Sequence, residues 1–287
     1  MATIRYVKEP ATFLVKRRGN SPDSSGSKQL LLGARLHIDE STATNGWIKA
    51  STVPDKDGKS KQGFVELNRL SEKQQLKIFY LDVGQGDATL IEAEGAIIII
   101  DGGPNSGFFD ELVKRLKRLQ RADAALGLPA RTTLHINAII VSHFDLDHYQ
   151  GLTKVLTSDK FTVGRIYHNG LPRYGDGAQK DLNLGSVAHH SDGTRSISTD
   201  FRGIDSARQL VSSGLLLTDK GNDNKFSKFL QAAIKAHDSG RLDNIELLVR
   251  RKPDSSHPTL SDTGPDMTFE VLAPVTTKPS GAIRLPA

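Results

Sequence analysis

The sequence contains no cysteine and no long apolar run. The absence of thiols excludes disulfide bonds and thiolate ligands, so a metal site in this chain has to use His, Asp and Glu. The longest apolar stretch, residues 96–100, has the length of one strand, whereas a membrane helix needs ~18 residues. The first residues also lack the apolar segment and cleavage site of a secretory signal. We therefore expect no membrane span and a cytoplasmic protein.

Length and charge set the next limits. The 287 residues suffice for one large domain or for a small and a medium one, and the 37% apolar and 25% charged content is ordinary for a folded protein. The net charge of +5 lies within residues 1–75, because the acidic and basic residues of the remainder cancel. This excess favours a polyanionic partner, or it is simply a solvated surface, and composition does not decide between them.

Residues 1–72 predict a small all-β domain. Short apolar runs alternate with clusters of Gly, Ser, Asp, Asn and Pro, with a polar loop at residues 20–27 and a charged hairpin tip at 55–62. The succession LLLGARLHI, GWIKA and GFVELNRL resembles bacterial Src-homology-3-like barrels. Such barrels usually bind proteins, peptides or cell-wall material, so the resemblance implies a protein or peptide ligand for this domain.

From residue 76 the pattern becomes that of an α/β domain, which we extend to residue 287. The segments LKIFYLD, GDATLIEA and GAIIIID predict three strands, and an apolar stripe at helical spacing predicts a helix after them. The run LHINAIIVS then predicts a buried strand, and residues 169–265 predict a loop-rich insertion. The remaining predicted elements are helices at 149–156 and 225–237 and strands at 162–167, 245–251 and 267–272.

The segment SHFDLDH, directly after the buried strand, carries the strongest chemical signal. It places four potential metal ligands within six residues: His143, Asp145, Asp147 and His148. A loop at the carboxyl end of a buried strand is where open α/β sheets usually place their sites. Imidazole and carboxylate without thiolate suit zinc, manganese or iron. The alternative is a turn with an Asp helix cap and surface histidines.

Four further residues are candidates near this loop. Asp101 follows a strand of four isoleucines, where it either supports the site or starts an Asp-Gly-Gly turn. Asp87, in the turn DVGQGDA, either reaches the site or bonds only the backbone. His168 and His190 are candidate extra ligands. The alternative for His168 is an exposed histidine at a strand end, and His190 lacks a preceding apolar strand.

Three motifs in order, YLDVGQGDATLI, IDGG and SHFDLDHYQGL, resemble the metallo-β-lactamase superfamily and are closest to the hydrolase domain of ComEC-type competence proteins. The resemblance implies an αββα sandwich that binds one or two divalent ions, zinc or manganese. It implies that His143 and Asp145 face one metal position and Asp147 and His148 the other, with Asp101 supporting the loop. ComEC-type domains are thought to degrade a DNA strand, and other members cleave phosphodiesters, esters or amides.

The chain departs from this family in its second half. Relatives continue beyond the counterpart of FEVLAP with a strand pair ending in Gly-Asp and a His-His-Gly-Ser loop, and neither follows Met267. We expect either an incomplete second half, with the chain truncated at Ala287, or an unusual rebuilding of that half.

The expected function is metal-dependent hydrolysis of a phosphodiester or nucleic acid, in which Asp147 binds metal and orients the attacking water. The alternatives are a catalytically incomplete fragment that acts as a binding or regulatory module, and a hydrolase of small esters or lactones.

Overall fold

The structure is a computed structural model, and its contacts divide the chain into two compact units. Unit 1 comprises residues 1–77, 92–95 and 112–132, and unit 2 comprises residues 78–91, 96–111 and 133–287. The structure describes residues 2–18, 21–93, 95–173, 187–189, 191, 195–198, 201–218, 220–248 and 282–285.

Unit 1 contains a curled antiparallel sheet of seven strands in the order β3-β2-β6-β5-β4-β1-β7. A short 3₁₀ helix, Leu67–Arg69, precedes the last strand. The strands are β1 (Ala2–Val7), β2 (Thr12–Arg18), β3 (Ser21–Leu30), β4 (Arg35–Thr44), β5 (Trp47–Thr52), β6 (Gln62–Glu66) and β7 (Leu70–Ser71).

Alternation along these strands produces the core of unit 1. Leu36 and Ile38 of β4 and Ile48 and Ala50 of β5 are buried two residues apart, as a strand with one buried face requires. The prediction of an all-β amino-terminal segment is confirmed, while the likeness to a Src-homology-3 barrel stays a prediction. The predicted polar loop at 20–27 is wrong: Ser21–Leu30 forms β3, because pairing with β2 supplies the extended backbone that its composition does not favour.

The second sheet has six strands in the order β15-β12-β11-β10-β9-β8. Its members β10, β11, β12 and β15 run parallel to their neighbours within that set. The strands are β8 (Lys77–Tyr80), β9 (Thr89–Ala93), β10 (Ala96–Ile100), β11 (Leu134–Val141), β12 (Phe161–His168) and β15 (Leu242–Leu247), and a separate small sheet contains β13 (Val187–His189), β14 (Arg195–Ser198) and β16 (Ala282–Leu285).

Helices make the crossovers between the parallel strands. They are α1 (Gly107–Ala125), α2 (Leu146–Thr157), α3 (Ile204–Ser212) and α4 (Lys225–Asp238). Since parallel strands covered on both faces carry apolar residues without alternation, β10 reads AIIII and is almost wholly buried. Within unit 2, the aromatic rings of Phe144, Tyr149, Phe226 and Phe229 pack together where α2 meets α4.

Most predicted elements from residue 76 to 168 are confirmed, with ends that shift by a few residues. The insertion predicted as loop-rich contains α3, which the sequence reading missed, as well as α4 and β15. The strand predicted at 267–272 lies outside the described residues, and the sandwich architecture stays a prediction. Among the helices that the structure describes, none is both long and apolar enough to cross a membrane.

Candidate metal centre

The candidate site lies at the carboxyl ends of three neighbouring parallel strands. Asp101 follows β10, the loop 142–145 follows β11, and His168 ends β12. The registers Ile100↔Ile140 and Val141↔His168 bring these ends to the same edge of the sheet. This edge is where an open α/β sheet presents loops to a ligand.

Asp101 holds the loop together through its carboxylate. It is 3% exposed, and its oxygens accept hydrogen bonds from the Ser142 amide at 2.8 Å, the Ser142 hydroxyl at 2.6 Å and His148 Nδ1 at 2.9 Å. A buried carboxylate without such partners would be costly. Its φ of 59° lies in the left-handed region, which Asp tolerates better than most residues.

These bonds fix the protons of both site histidines. An ionised carboxylate can only accept hydrogen bonds, so His148 donates its Nδ1–H to Asp101. In the neutral ring, Nε2 then carries the lone pair. The Ser142 hydroxyl donates to Asp101 and lies 3.0 Å from His143 Nδ1, so it accepts the proton of that nitrogen. When such a ring is neutral, Nε2 is the nitrogen that carries the lone pair of a metal ligand.

Each of these nitrogens faces a carboxylate oxygen. His143 Nε2 lies 3.2 Å from Asp145 Oδ2, and His148 Nε2 lies 3.8 Å from Asp147 Oδ1. The two imidazole rings are themselves neighbours, with centroids 3.9 Å apart. Since a lone pair and a carboxylate repel each other, the arrangement calls for a cation, or for a second proton on the ring.

The glycine turn before β9 supports the site through its backbone. A Cβ on Gly86 would lie 2.0 Å from the carbonyl oxygen of Asp147, so only glycine permits this approach. The Gly103 amide donates to the Asp87 carbonyl at 3.0 Å, while the Asp87 side chain is exposed. Asp87 thus contacts the neighbouring Asp-Gly-Gly segment through its main chain.

Arg173 is a site residue that the sequence reading missed. Its guanidinium forms an ion pair with Asp145, and this hydrogen bond lowers the pKa of that carboxyl group against the opposing effect of burial. The Arg173 carbonyl accepts a hydrogen bond from the Asn224 side chain at 3.1 Å, which ties it to α4. A single Arg in the segment GLPRYG has no periodic signal, so only the fold could reveal it.

His168 lies within the aromatic core, and the expectation of an exposed strand-end histidine is wrong. It is 1% exposed, stacks on Phe201 at 3.9 Å between ring centroids, and accepts a hydrogen bond from the Gly170 amide at its Nδ1. Burial lowers the pKa of His168 to about 3, against a smaller opposite effect of the Arg202 backbone. The ring is therefore neutral at pH 7. His190 lies outside the described residues.

The donor set fits zinc or manganese in type and in pair spacing. With metal–ligand bonds of ~2.0–2.2 Å and tetrahedral angles, two ligands of one ion lie ~3.4 Å apart, and the two pairs at 3.2 and 3.8 Å bracket this value. The hydrogen bond from His148 to Asp101 is the usual support of a ligating histidine. Within the described part of the chain, however, no three His, Asp or Glu side chains converge as one metal-binding group.

The segment that contains this site is similar to one known protein family. The family model of the metallo-beta-lactamase superfamily matches residues 81–217, which include all four ligand candidates and Asp101. No curated protein matches the chain. A solved structure described as the apo state of chemotaxis sensor ODP from T. denticola is 16% identical and covers 53% of this chain, with a TM-score of 0.21. The match covers 54% of that chain, so this protein spans about half the length of that relative.

Proposed function

We propose that residues 81–217, the part of the chain that matches the metallo-beta-lactamase superfamily, form a metal-dependent hydrolase that cleaves phosphodiesters. One observation carries the proposal. Asp101 holds His148 directly and His143 through Ser142, and the Nε2 atoms of the two rings face the carboxylates of Asp147 and Asp145. Two acceptors held face to face are the arrangement of a ligand pair that is ready for a divalent cation.

In this proposal His143 and Asp145 hold one position and Asp147 and His148 the other. A bound divalent ion would supply a water molecule with its pKa lowered toward ~7. The chain's own residues do the rest. Asp147, whose side chain is 28% exposed, accepts a hydrogen bond from the attacking water and orients it. Asp101 holds the His148 ring through Nδ1, with Nε2 on the side of Asp147.

Arg173 supports a phosphodiester as the substrate class. A guanidinium presents donors in a planar fork that matches the oxygens of a phosphoryl group. Its ion pair with Asp145 holds the Arg173 guanidinium beside a candidate ligand, which supports a role in binding a phosphoryl oxygen. The resemblance of the motifs to ComEC-type nucleases points in the same direction.

The test compares hydrolysis of a small chromogenic phosphodiester and of single-stranded DNA, with zinc or manganese added. Asp147→Ala should abolish turnover of both while circular dichroism shows an unchanged fold. Asp159→Ala removes a carboxylate that is 93% exposed, in the turn after α2, and should hydrolyse as the unaltered chain does. Equal activity of Asp147→Ala and the unaltered chain would sink the proposal.

A binding or regulatory module is the second candidate. It is favoured by the absence, within the described residues, of a third ligand beside either pair, and by the ion pair that occupies Asp145. This role would be established if the chain folds, binds no metal, and still binds a partner through its amino-terminal sheet after mutation of residues 142–148. A hydrolase of small esters or lactones would instead turn over those substrates faster than any phosphodiester.

A further inference from the structure

A second concave site lies along α2, within unit 2. It is a pocket of about 370 Å³. Residues from three elements form its walls: Asn105 and Ser106 before α1, Gln150 and Lys154 of α2, and Lys225 and Lys228 of α4. The candidate ligand Asp147 precedes Gln150 by three residues in α2, so the two residues are neighbours on the helix surface.

The pocket is positively charged. Of the described residues that line it, three are lysines and none is acidic. The Lys154 ammonium lies 4.5 Å from the centre of the Phe109 ring, and this cation–π contact positions it. Asp223, two residues before Lys225, accepts a hydrogen bond from the Ser227 hydroxyl at 2.6 Å and does not line the pocket.

The pocket and the metal centre share one piece of backbone. A Cβ on Gly151, in the pocket wall, would lie 2.1 Å from the Gly102 carbonyl, next to Asp101. The Gly151 amide donates to Gly103 at 2.8 Å, and the Gly102 amide donates to the His148 carbonyl at 2.6 Å. These contacts join the Gly151 wall of the pocket directly to the Asp-Gly-Gly segment that contains Asp101.

We propose that this pocket, which we call the lysine pocket, binds backbone phosphates of a single polynucleotide strand next to the phosphodiester held at the metal centre. The proposal rests on the proposed function and names its substrate as a polymer. Lys154 lies six residues beyond His148, or ~9 Å along a helix at ~1.5 Å per residue.

The first experiment measures strand binding without cleavage. Fluorescence anisotropy of a labelled single-stranded oligonucleotide is recorded across a salt series, with the full chain and a chelator. Three lysine contacts contribute ~0.7 each to the salt slope on a single strand, so K154Q/K225Q/K228Q should lower the slope by about 2. The control K160Q/K220Q/K235Q removes the same charge from exposed positions of unit 2 and should keep the slope. Equal slopes for both triple variants would overturn the proposal.

A competition arm identifies the source of the phosphate. Inorganic phosphate and a mononucleotide are titrated against the labelled strand at the same ionic strength. Weak competition by both supports a polymer site. Displacement of the strand at concentrations of phosphate near the strand's own Kd would instead assign the pocket to a small free anion and overturn the proposal.

A kinetic arm separates this inference from the proposed function. With metal present, the pocket variant should raise KM for single-stranded DNA far more than KM for a small phosphodiester. If the unaltered chain cleaves both substrates and the pocket variant has an unchanged KM for DNA, the lysine pocket fails alone. If no phosphodiester is cleaved but the pocket variant still shows a smaller salt dependence of strand binding, the proposed hydrolysis is wrong. The proposal that the lysine pocket binds a strand is then still supported.

Discussion

At the scale of single residues, the geometry of the candidate metal centre depends on Asp101. Its carboxylate accepts hydrogen bonds from the Ser142 amide, the Ser142 hydroxyl and His148 Nδ1. These bonds place a proton on Nδ1 of His148 and, through the Ser142 hydroxyl, on Nδ1 of His143. Asp101 thus orients the rings of two ligand candidates, His148 directly and His143 through Ser142. Its cost is a buried charge and a left-handed backbone, which the hydrogen bonds offset.

Two glycines of the turn before β9 allow a matched test of the close contact between Gly86 and the Asp147 backbone. Gly84 and Gly86 both have φ near +85°, at +82° and +87°, but only at Gly86 does an added Cβ meet another segment. Gly84→Ala should cost ~1–2 kcal/mol from the left-handed conformation alone. Gly86→Ala adds an overpacking cost of ~1–3 kcal/mol and displaces the Asp147 backbone. Denaturant unfolding and metal affinity measure both effects.

In that pair, only Gly86→Ala should weaken metal binding. Equal unfolding free energies for the two variants would show that the turn does not press on Asp147, and the backbone support described for the site would then be wrong.

His168 should make stability depend on pH. Its folded pKa of about 3 lies below the unfolded value of ~6.5, so the unfolded chain takes up a proton that the folded chain refuses. Between pH 6.5 and 3, falling pH therefore lowers the unfolding free energy by ~1.4 kcal/mol per unit from this residue. His168→Asn keeps an acceptor for the Gly170 amide but does not titrate, so its pH slope should be shallower. Urea titrations at pH 7, 6 and 5 with a chelator measure the slope.

His135→Asn is the control for His168. It removes an exposed imidazole at the amino end of β11 and should keep the slope of the unaltered chain. If His168→Asn also keeps that slope, His168 is not the buried neutral ring described above.

At this scale the sequence was informative where residue types cluster and uninformative where a single residue acts through the fold. Four ligand-type residues in six positions, directly after an apolar strand, predicted the site loop. Arg173 and the burial of His168 depend on how distant segments pack, and neither leaves a local pattern. Asp101 was recognisable because a carboxylate directly after four isoleucines is costly to bury unless it is hydrogen-bonded, paired or close to a metal.

At the scale of elements, α4 connects the lysine pocket and the metal centre. Its first residues Lys225 and Lys228 line the pocket, and its cap Asn224 holds the carbonyl of Arg173. The same Asn224 side chain accepts the Ser227 amide at 2.7 Å, which satisfies one free donor of the helix start. One side chain thus stabilises the helix and positions a site residue.

The two roles of Asn224 can be separated. Asn224→Asp keeps the capping oxygen but loses the donor to Arg173, whereas Asn224→Ala loses both. Asn224→Ala should lower the unfolding free energy by ~1 kcal/mol relative to Asn224→Asp because the cap is lost. Both variants should weaken hydrolysis, through a less ordered Arg173. Thermal melts and kinetics on the small phosphodiester distinguish the roles, and full activity of Asn224→Asp would show that the Arg173 contact has no part in function.

Elements were predictable in proportion to the regularity of their patterns. The strands β10 and β11 and the helices α1 and α4 have long apolar runs or stripes, which report directly on burial. By contrast, β3 is polar and exists through its pairing with β2, and α3 is short and buries Ala207 among few apolar positions. Such elements owe their form to tertiary context, which a single sequence does not display.

At the scale of the whole molecule, the chain combines an antiparallel seven-stranded sheet with a segment, residues 81–217, that matches the family model of the metallo-beta-lactamase superfamily. The described residues include two His–Asp pairs, and the histidine of each pair belongs to the hydrogen-bond network of Asp101. The proposed hydrolysis requires that these pairs bind metal, whereas strand binding in the lysine pocket does not. A ligand set that starts as two pairs has to be completed by water, by substrate or by further side chains.

The most direct test is the metal content of the purified chain. Elemental analysis after chelator-free purification should find one or two equivalents of zinc or manganese per chain. Asp101→Asn, which keeps the shape of the side chain but removes its charge, should lower metal affinity by ~10–100-fold. Asp159→Asn should retain the metal. A folded chain that stays metal-free after equilibration with zinc and manganese would contradict the account.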